Sequence, residues 1–173
     1  MLRERTTGTL ERLMSTPIKK AEVITGYLAG YGIFAVIQTL IVVIFAVNVL
    51  DVTLAGSIWN VILISLILAL TALSLGILLS TFASSEFQML QFIPIVIVPQ
   101  VFFSGIIPVE GMADWLQVLA RFMPLYYGAN ALRDVMYKGL DLNSIYKDLL
   151  FLVAFAVIFI ILNIIVLRKY RKQ

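Results

Sequence analysis

The chain has 173 residues, of which 61% are hydrophobic and 13% charged, with a formal net charge of +3 and a mean hydropathy of +1.02. Soluble domains carry about 25% charged residues, so this composition excludes an ordinary soluble fold and points to an integral membrane protein. With no cysteine and no histidine, disulfides, thiolate nucleophiles and imidazole metal ligands are excluded as well.

The chain opens on a charged segment, Arg3 to Pro17, set just ahead of the first apolar run. Leu10, Leu13 and Met14 recur at i, i+3 and i+4, which gives a narrow apolar stripe. Glu4, Arg5, Glu11 and Arg12 lie largely off that stripe. Thr16 suits an N-cap and Pro17 the first helical position, so the segment predicts a short helix, a sharp break and a second helix. Lys19 and Lys20 would then sit near anionic headgroups. Such a segment is where a soluble partner would dock; an interfacial helix that only anchors the terminus is the plainer reading of the same residues.

Four uncharged apolar runs follow, at about Ile24–Val47, Ile58–Phe82, Met89–Phe103 and Leu149–Leu167. Crossing roughly 30 Å of hydrocarbon takes about 20 helical residues. Only a helix satisfies its own backbone there without a closed barrel, so these runs are predicted to be helices. Gly26 and Gly30 form a small-xxx-small pair that would let another helix approach. In the third run, Pro94 and Pro99 each remove a helix hydrogen bond. They predict a kink, and with Gln100 they are candidates for a substrate path.

Basic residues set the direction. Arg3, Arg5, Arg12, Lys19, Lys20, Arg168, Lys169, Arg171 and Lys172 flank the outermost runs, against Arg121, Arg133, Lys138 and Lys147 between the third and fourth. This bias predicts both termini in the cytoplasm. No cleavable signal peptide is visible at the polar N-terminus.

Between the third and fourth runs, residues 104–146 are too apolar for an ordinary loop. Trp115, Leu116, Leu119 and Phe122 can share one face opposite Asp114, Gln117 and Arg121, giving an amphipathic helix that Met123-Pro124 ends. A second helix is predicted from about Leu125 to Tyr137, with Leu132, Val135 and Met136 on one side. Trp115, Tyr126 and Tyr127 would lie near the headgroups. Whether the pair dips into the membrane or lies flat on it is not separable by pattern.

No Asp, Glu, Lys or Arg falls within a span core, where a charge costs at least about 2.5 kcal/mol and usually marks ion coupling. A proton-driven pump complete in this chain is therefore disfavoured. Gln38, Thr39, Asn60, Ser65, Thr71, Ser74, Gln91, Gln100 and Asn163 are the polar residues inside the runs. Their default role is interhelical hydrogen bonding. There is no phosphate loop, no metal-ligand pattern and no nucleophile elbow, so no catalytic residue, cofactor or metal site is expected. Nothing points to nucleic acid.

Two stretches carry a family resemblance. Glu4-Arg5 followed by Gly8-Thr9-Leu10-Glu11 and Pro17 resembles the cytoplasmic coupling region of type 2 ABC exporter permeases. Ser104-Gly105, Pro108, Trp115-Leu116, Pro124-Leu125 and Ala131-Leu132-Arg133 are similar to that family's outer re-entrant helices. The resemblance implies an all-α membrane fold: a cytoplasmic coupling segment at 1–21, four transmembrane helices, and two short re-entrant helices within 104–146. It implies one transmembrane domain over 1–173, corresponding to the C-terminal part of a permease without its first two spans. It also implies an ABC ATPase subunit and a second permease subunit as partners, alongside membrane lipid. Glu4, Arg5, Gly8, Leu10, Glu11, Arg12 and Leu13 would form the ATPase contact. Thr6 and Asn130 stand where many members carry an acid. The function expected is export of a hydrophobic, amphipathic or lipid-linked substrate from the cell membrane, with ATP hydrolysed by the partner. A non-transporting scaffold or immunity-type protein, or an inactive permease fragment, is the alternative.

Overall fold

The computed structural model describes Ile18 and residues 20–169. The charged segment with Glu4, Arg5, Gly8, Leu10, Glu11, Arg12 and Leu13 lies outside the described residues. Among the described residues all regular structure is helical, in six α-helices. These are α1 (Lys20–Asn48), α2 (Ile58–Phe82), α3 (Glu86–Val101), α4 (Asp114–Ala120), α5 (Pro124–Lys138) and α6 (Tyr146–Lys169). A π turn, Phe102–Ile106, continues α3, and a 3-10 turn, Val109–Gly111, precedes α4. Four of these helices are long and apolar enough to cross a membrane: α1, α2, α3 with its π turn, and α6.

The predicted runs correspond to these four, with α2 matching at both ends. The other three helices reach further than their apolar cores, because helical hydrogen bonding does not stop where hydrophobicity does. At the start of α3 the reason is local. The Ser85 hydroxyl accepts from the Gln88 N–H at 3.2 Å, and Gln88 Oε1 accepts from the Ser84 N–H at 2.8 Å. This reciprocal cap starts the helix at Glu86, inside what the pattern reads as a link.

Helix α2 is the centre of the bundle, with α6 packed along it and α1 and α5 also against it. Apolar side chains gather at both ends. Where α1 begins, Ile24, Ile77 and Leu167 are buried together. At the far end, Val43, Val61, Ile64, Ala131, Val135 and Ile145 form the larger cluster. Burying such a side chain contributes about 1.5–3 kcal/mol against water. Between helices already in lipid, close packing replaces that driving force.

The connection from α3 to α6 is built into the far end. Pro124 occupies the first turn of α5, and Gly139 ends it in the left-handed conformation at φ 66°. The predicted face of α5 is the one that packs: Val135 is buried, with Leu132 and Met136 against the same cluster. Gly128 lets α5 lie close on α2, since a Cβ there would meet Leu68 Cδ1 at 2.9 Å. The backbone of the α1–α2 link also joins this end, with the Ala55 N–H donating to the Met136 carbonyl at 2.8 Å. Of the three aromatics expected near the headgroups, Tyr127 turns inward. It is buried, stacked on Phe151 of α6 at 4.8 Å, and its hydroxyl donates to the Arg121 carbonyl at 2.9 Å. Trp115 is exposed.

Candidate functional site

Of the hollows beside α2, two carry polar side chains in their lining. The first is an open groove of about 640 Å³ between α1 and α2, with Tyr27, Tyr31, Gln38, Thr39, Ser65 and Ser80 among its polar lining. The second is a cleft of about 350 Å³ between α2, α3 and the start of α5. Its walls are Leu68, Thr71, Leu75 and Leu79 on one side and Val96, Ile97 and Gln100 on the other, with Pro124 and Leu125 at one end. Ser65, Ala69, Ala72 and Gly76 border both hollows. These small side chains leave the space on either side of α2 unfilled.

The cleft contains no ionisable side chain. Two of its polar side chains bond within the protein. Gln100 Nε2 donates to the Val96 carbonyl at 3.4 Å, and Thr71 Oγ1 donates to the carbonyls of Ile67 at 2.9 Å and Leu152 at 3.3 Å. Such a surface suits an uncharged or amphipathic molecule, because a buried ion would meet no counter-charge there. Among the described residues no three His, Cys, Asp or Glu side chains gather to hold a metal.

Of the three substrate-path candidates, only Gln100 lines the cleft. Pro94 and Pro99 belong to the same helix but lie off that lining. The helix continues through both, and none of its residues is buried. The seven candidate ATPase contacts precede the described residues. Among the intramembrane polar residues, Thr71 and Asn163 reach across to another helix, with Asn163 Nδ2 donating to the Ser74 carbonyl at 2.8 Å. Ser74 bonds its own helix at Leu70. Gly26 and Gly30 meet no neighbour: a Cβ at either would find nothing within 4 Å.

One residue outside the candidate set holds the far end of α3. Arg133 of α5 donates from Nη2 to the Gly105 carbonyl in the π turn at 2.7 Å. In the sequence it stands in the Ala131-Leu132-Arg133 stretch, which marks it for the family resemblance but not for this contact. Nearby, burial and the neighbouring Tyr126 raise the Tyr127 pKa above its ordinary value of 10.0, while Arg121 opposes them. This phenol stays neutral at physiological pH and serves as a donor.

Residues 1–165 match the family model described as ABC-2 family transporter protein. Curated relatives include the probable multidrug ABC transporter permease YbhS of Escherichia coli K12, 28% identical over 160 residues, covering 91% of this chain and 42% of that protein. The inner membrane transport permease YhhJ of the same strain is 28% identical over 172 residues, covering 98% and 46%. ABC transporter G family member 20 of Dictyostelium discoideum is 27% identical over 148 residues, covering 85% and 20%. The chain spans less than half the length of each of these relatives. No solved structure matches it. Four membrane-length helices and a match across nearly all its residues make the conclusion plain: the chain belongs to the ABC-2 transporter family.

Proposed function

We propose that the protein is the permease subunit of an ATP-binding cassette exporter in the cell membrane, with both termini in the cytoplasm. It would couple ATP hydrolysis by a partner ATPase to export of a hydrophobic, amphipathic or lipid-linked substrate. The observation that carries this reading is the family match over residues 1–165, a stretch that includes the charged segment from Arg3 to Pro17. Nothing in the four spans supplies an ion-coupled energy source, since no charged residue lies in their cores. Leu10 and Leu13 would anchor the segment in the ATPase, with Glu4, Arg5, Glu11 and Arg12 making polar contacts around them and Gly8 at the start of the contacting helix.

The cleft beside Gln100 is the proposed substrate path, on its uncharged lining and its position between α2 and α3. Helices α4 and α5 are proposed to re-enter the outer leaflet. The burial of Val135 and Ala131 against α2 and α6 supports a seat within the bundle rather than on its surface. Exposed apolar residues along α1 and α3, such as Phe34, Ile41, Phe87 and Ile95, leave area for lipid and for a second permease subunit.

The test is co-purification with a co-expressed ABC ATPase from the same genome, comparing the unaltered chain with Glu11→Arg and Leu13→Asp. Both variants are expected to lose the ATPase while keeping their yield in the membrane. Undiminished association in both would remove the coupling assignment.

A further inference from the structure

Helix α3 is the least anchored of the four long helices. Phe87, Leu90, Ile95 and Val98 are all exposed, and no residue from Glu86 to Val101 is buried. Its near end is tied to α2 by the short Ala83–Ser85 link. Its far end is held through the π turn. There Phe103 is buried with Val109 and Ala120, and Arg133 reaches the Gly105 carbonyl.

The chemistry of this second contact is specific. A helix end leaves carbonyls without amide partners, and a guanidinium makes a stronger bond to one than a neutral donor does. Gly105 has φ +87°, a conformation that L side chains rarely adopt. A Cβ built on it would lie 2.5 Å from Arg133 Nη2 and 3.0 Å from Nη1. The missing side chain thus permits the turn and also makes room for the guanidinium. The helix that carries Arg133 carries Pro124 and Leu125 as well, which close one end of the α2–α3–α5 cleft. One rigid element holds both the end of the cleft and the end of its wall.

We propose that Arg133 is a positioning residue: by clamping the Gly105 carbonyl it fixes the far end of α3 against α5 and so sets the width of the cleft beside Gln100. The consequence for transport rests on the substrate-path reading above, whereas the clamp itself can be measured without any substrate.

The chain has no cysteine, so single introduced thiols report cleanly. Leu125→Cys places one at the cleft, and Thr53→Cys places one on the exposed α1–α2 link, outside the membrane-length helices. The initial rate of modification by a charged methanethiosulfonate reagent is measured for the full chain in lipid nanodiscs, where both faces are accessible. Adding Arg133→Gln is expected to raise the rate at position 125 by about tenfold, the population shift that follows loss of one charge-assisted hydrogen bond. Arg133→Lys, which keeps a cationic donor, should raise it less. Gly105→Ala displaces the guanidinium without altering Arg133 and should reproduce the rise. The rate at position 53 should not change in any of them. An unchanged rate at position 125 in both Arg133→Gln and Gly105→Ala overturns the proposal, and so do equal rises at both positions. Failure of the transport reading would appear separately, in the ATPase co-purification.

Discussion

The Asn163 carboxamide of α6 donates through Nδ2 to the Ser74 carbonyl of α2 at 2.8 Å, and to its own helix at the Phe159 carbonyl, also at 2.8 Å. Both residues are fully buried. Asn163 Oδ1 has no hydrogen-bond partner among the described residues, so the side chain works here as a donor only. Thr71 ties the same two helices through the Leu152 carbonyl. Thr71 and Asn163 thus each place a polar stitch in the α2–α6 seam.

The unpartnered oxygen makes Asn163 replaceable by an apolar group but not by a charged one. Asn163→Leu should cost about 0.6–1.7 kcal/mol, the range for an interhelical hydrogen bond in a membrane protein. Asn163→Asp loses the donor and places a carboxyl in the seam, at a cost of at least about 2.5 kcal/mol. Thermal unfolding in detergent measures both, and a lower melting temperature for the leucine variant than for the aspartate variant would contradict this account.

Two glycines should respond in opposite directions to the same substitution. At Gly56 a Cβ would lie 2.6 Å from the Val135 carbonyl oxygen, a backbone atom that cannot turn aside. Gly56→Ala should therefore destabilise the protein by about 1–3 kcal/mol, as overpacking does. At Gly76, inside α2, nothing lies within 4 Å of a Cβ. Gly76→Ala should be neutral or stabilising by up to about 1 kcal/mol through helix propensity. Parallel melting curves decide the pair.

Tyr127 offers a pH test. Its phenol has a raised pKa, chiefly from burial and then from Tyr126, while in the unfolded chain it ionises near its ordinary value. Below that value both states keep the proton and this group makes stability independent of pH. As pH rises through that value towards the folded one, the unfolded state loses its proton first, so unfolding is favoured and stability falls. Tyr127→Phe should flatten this alkaline loss while costing about 1 kcal/mol at neutral pH for the bond to the Arg121 carbonyl. Melting curves from neutral to alkaline pH separate the two effects; equal alkaline slopes in both proteins would rule the assignment out.

Gln100 shows how far site reading from sequence reaches. Polarity within an apolar run singled it out, and it does face the cleft. Pro94 and Pro99 were chosen on backbone grounds, and a missing N–H says nothing about which side of a helix meets a hollow. The Ser85–Gln88 cap was readable, since a serine followed three residues later by glutamine is a recognised start signal, but hydropathy alone placed the helix later. Arg133 is legible as part of the Ala131-Leu132-Arg133 motif, but its partner, 28 residues away at Gly105, is not.

By itself, the sequence determined that this is a membrane protein with four helices long and apolar enough to cross a bilayer among the described residues, because insertion is decided by hydrophobicity summed over a contiguous run. It also carried the family resemblance, in motifs short enough to be read along the chain. Only tertiary structure decided which polar groups pair across helices, why α3 stands off α2, and what Arg133 holds. Asn163 and Ser74 are 89 residues apart, Thr71 and Leu152 81, and Arg133 and Gly105 28. Such meetings depend on how each helix is rotated and how closely it approaches its neighbours, quantities set by packing the whole bundle at once.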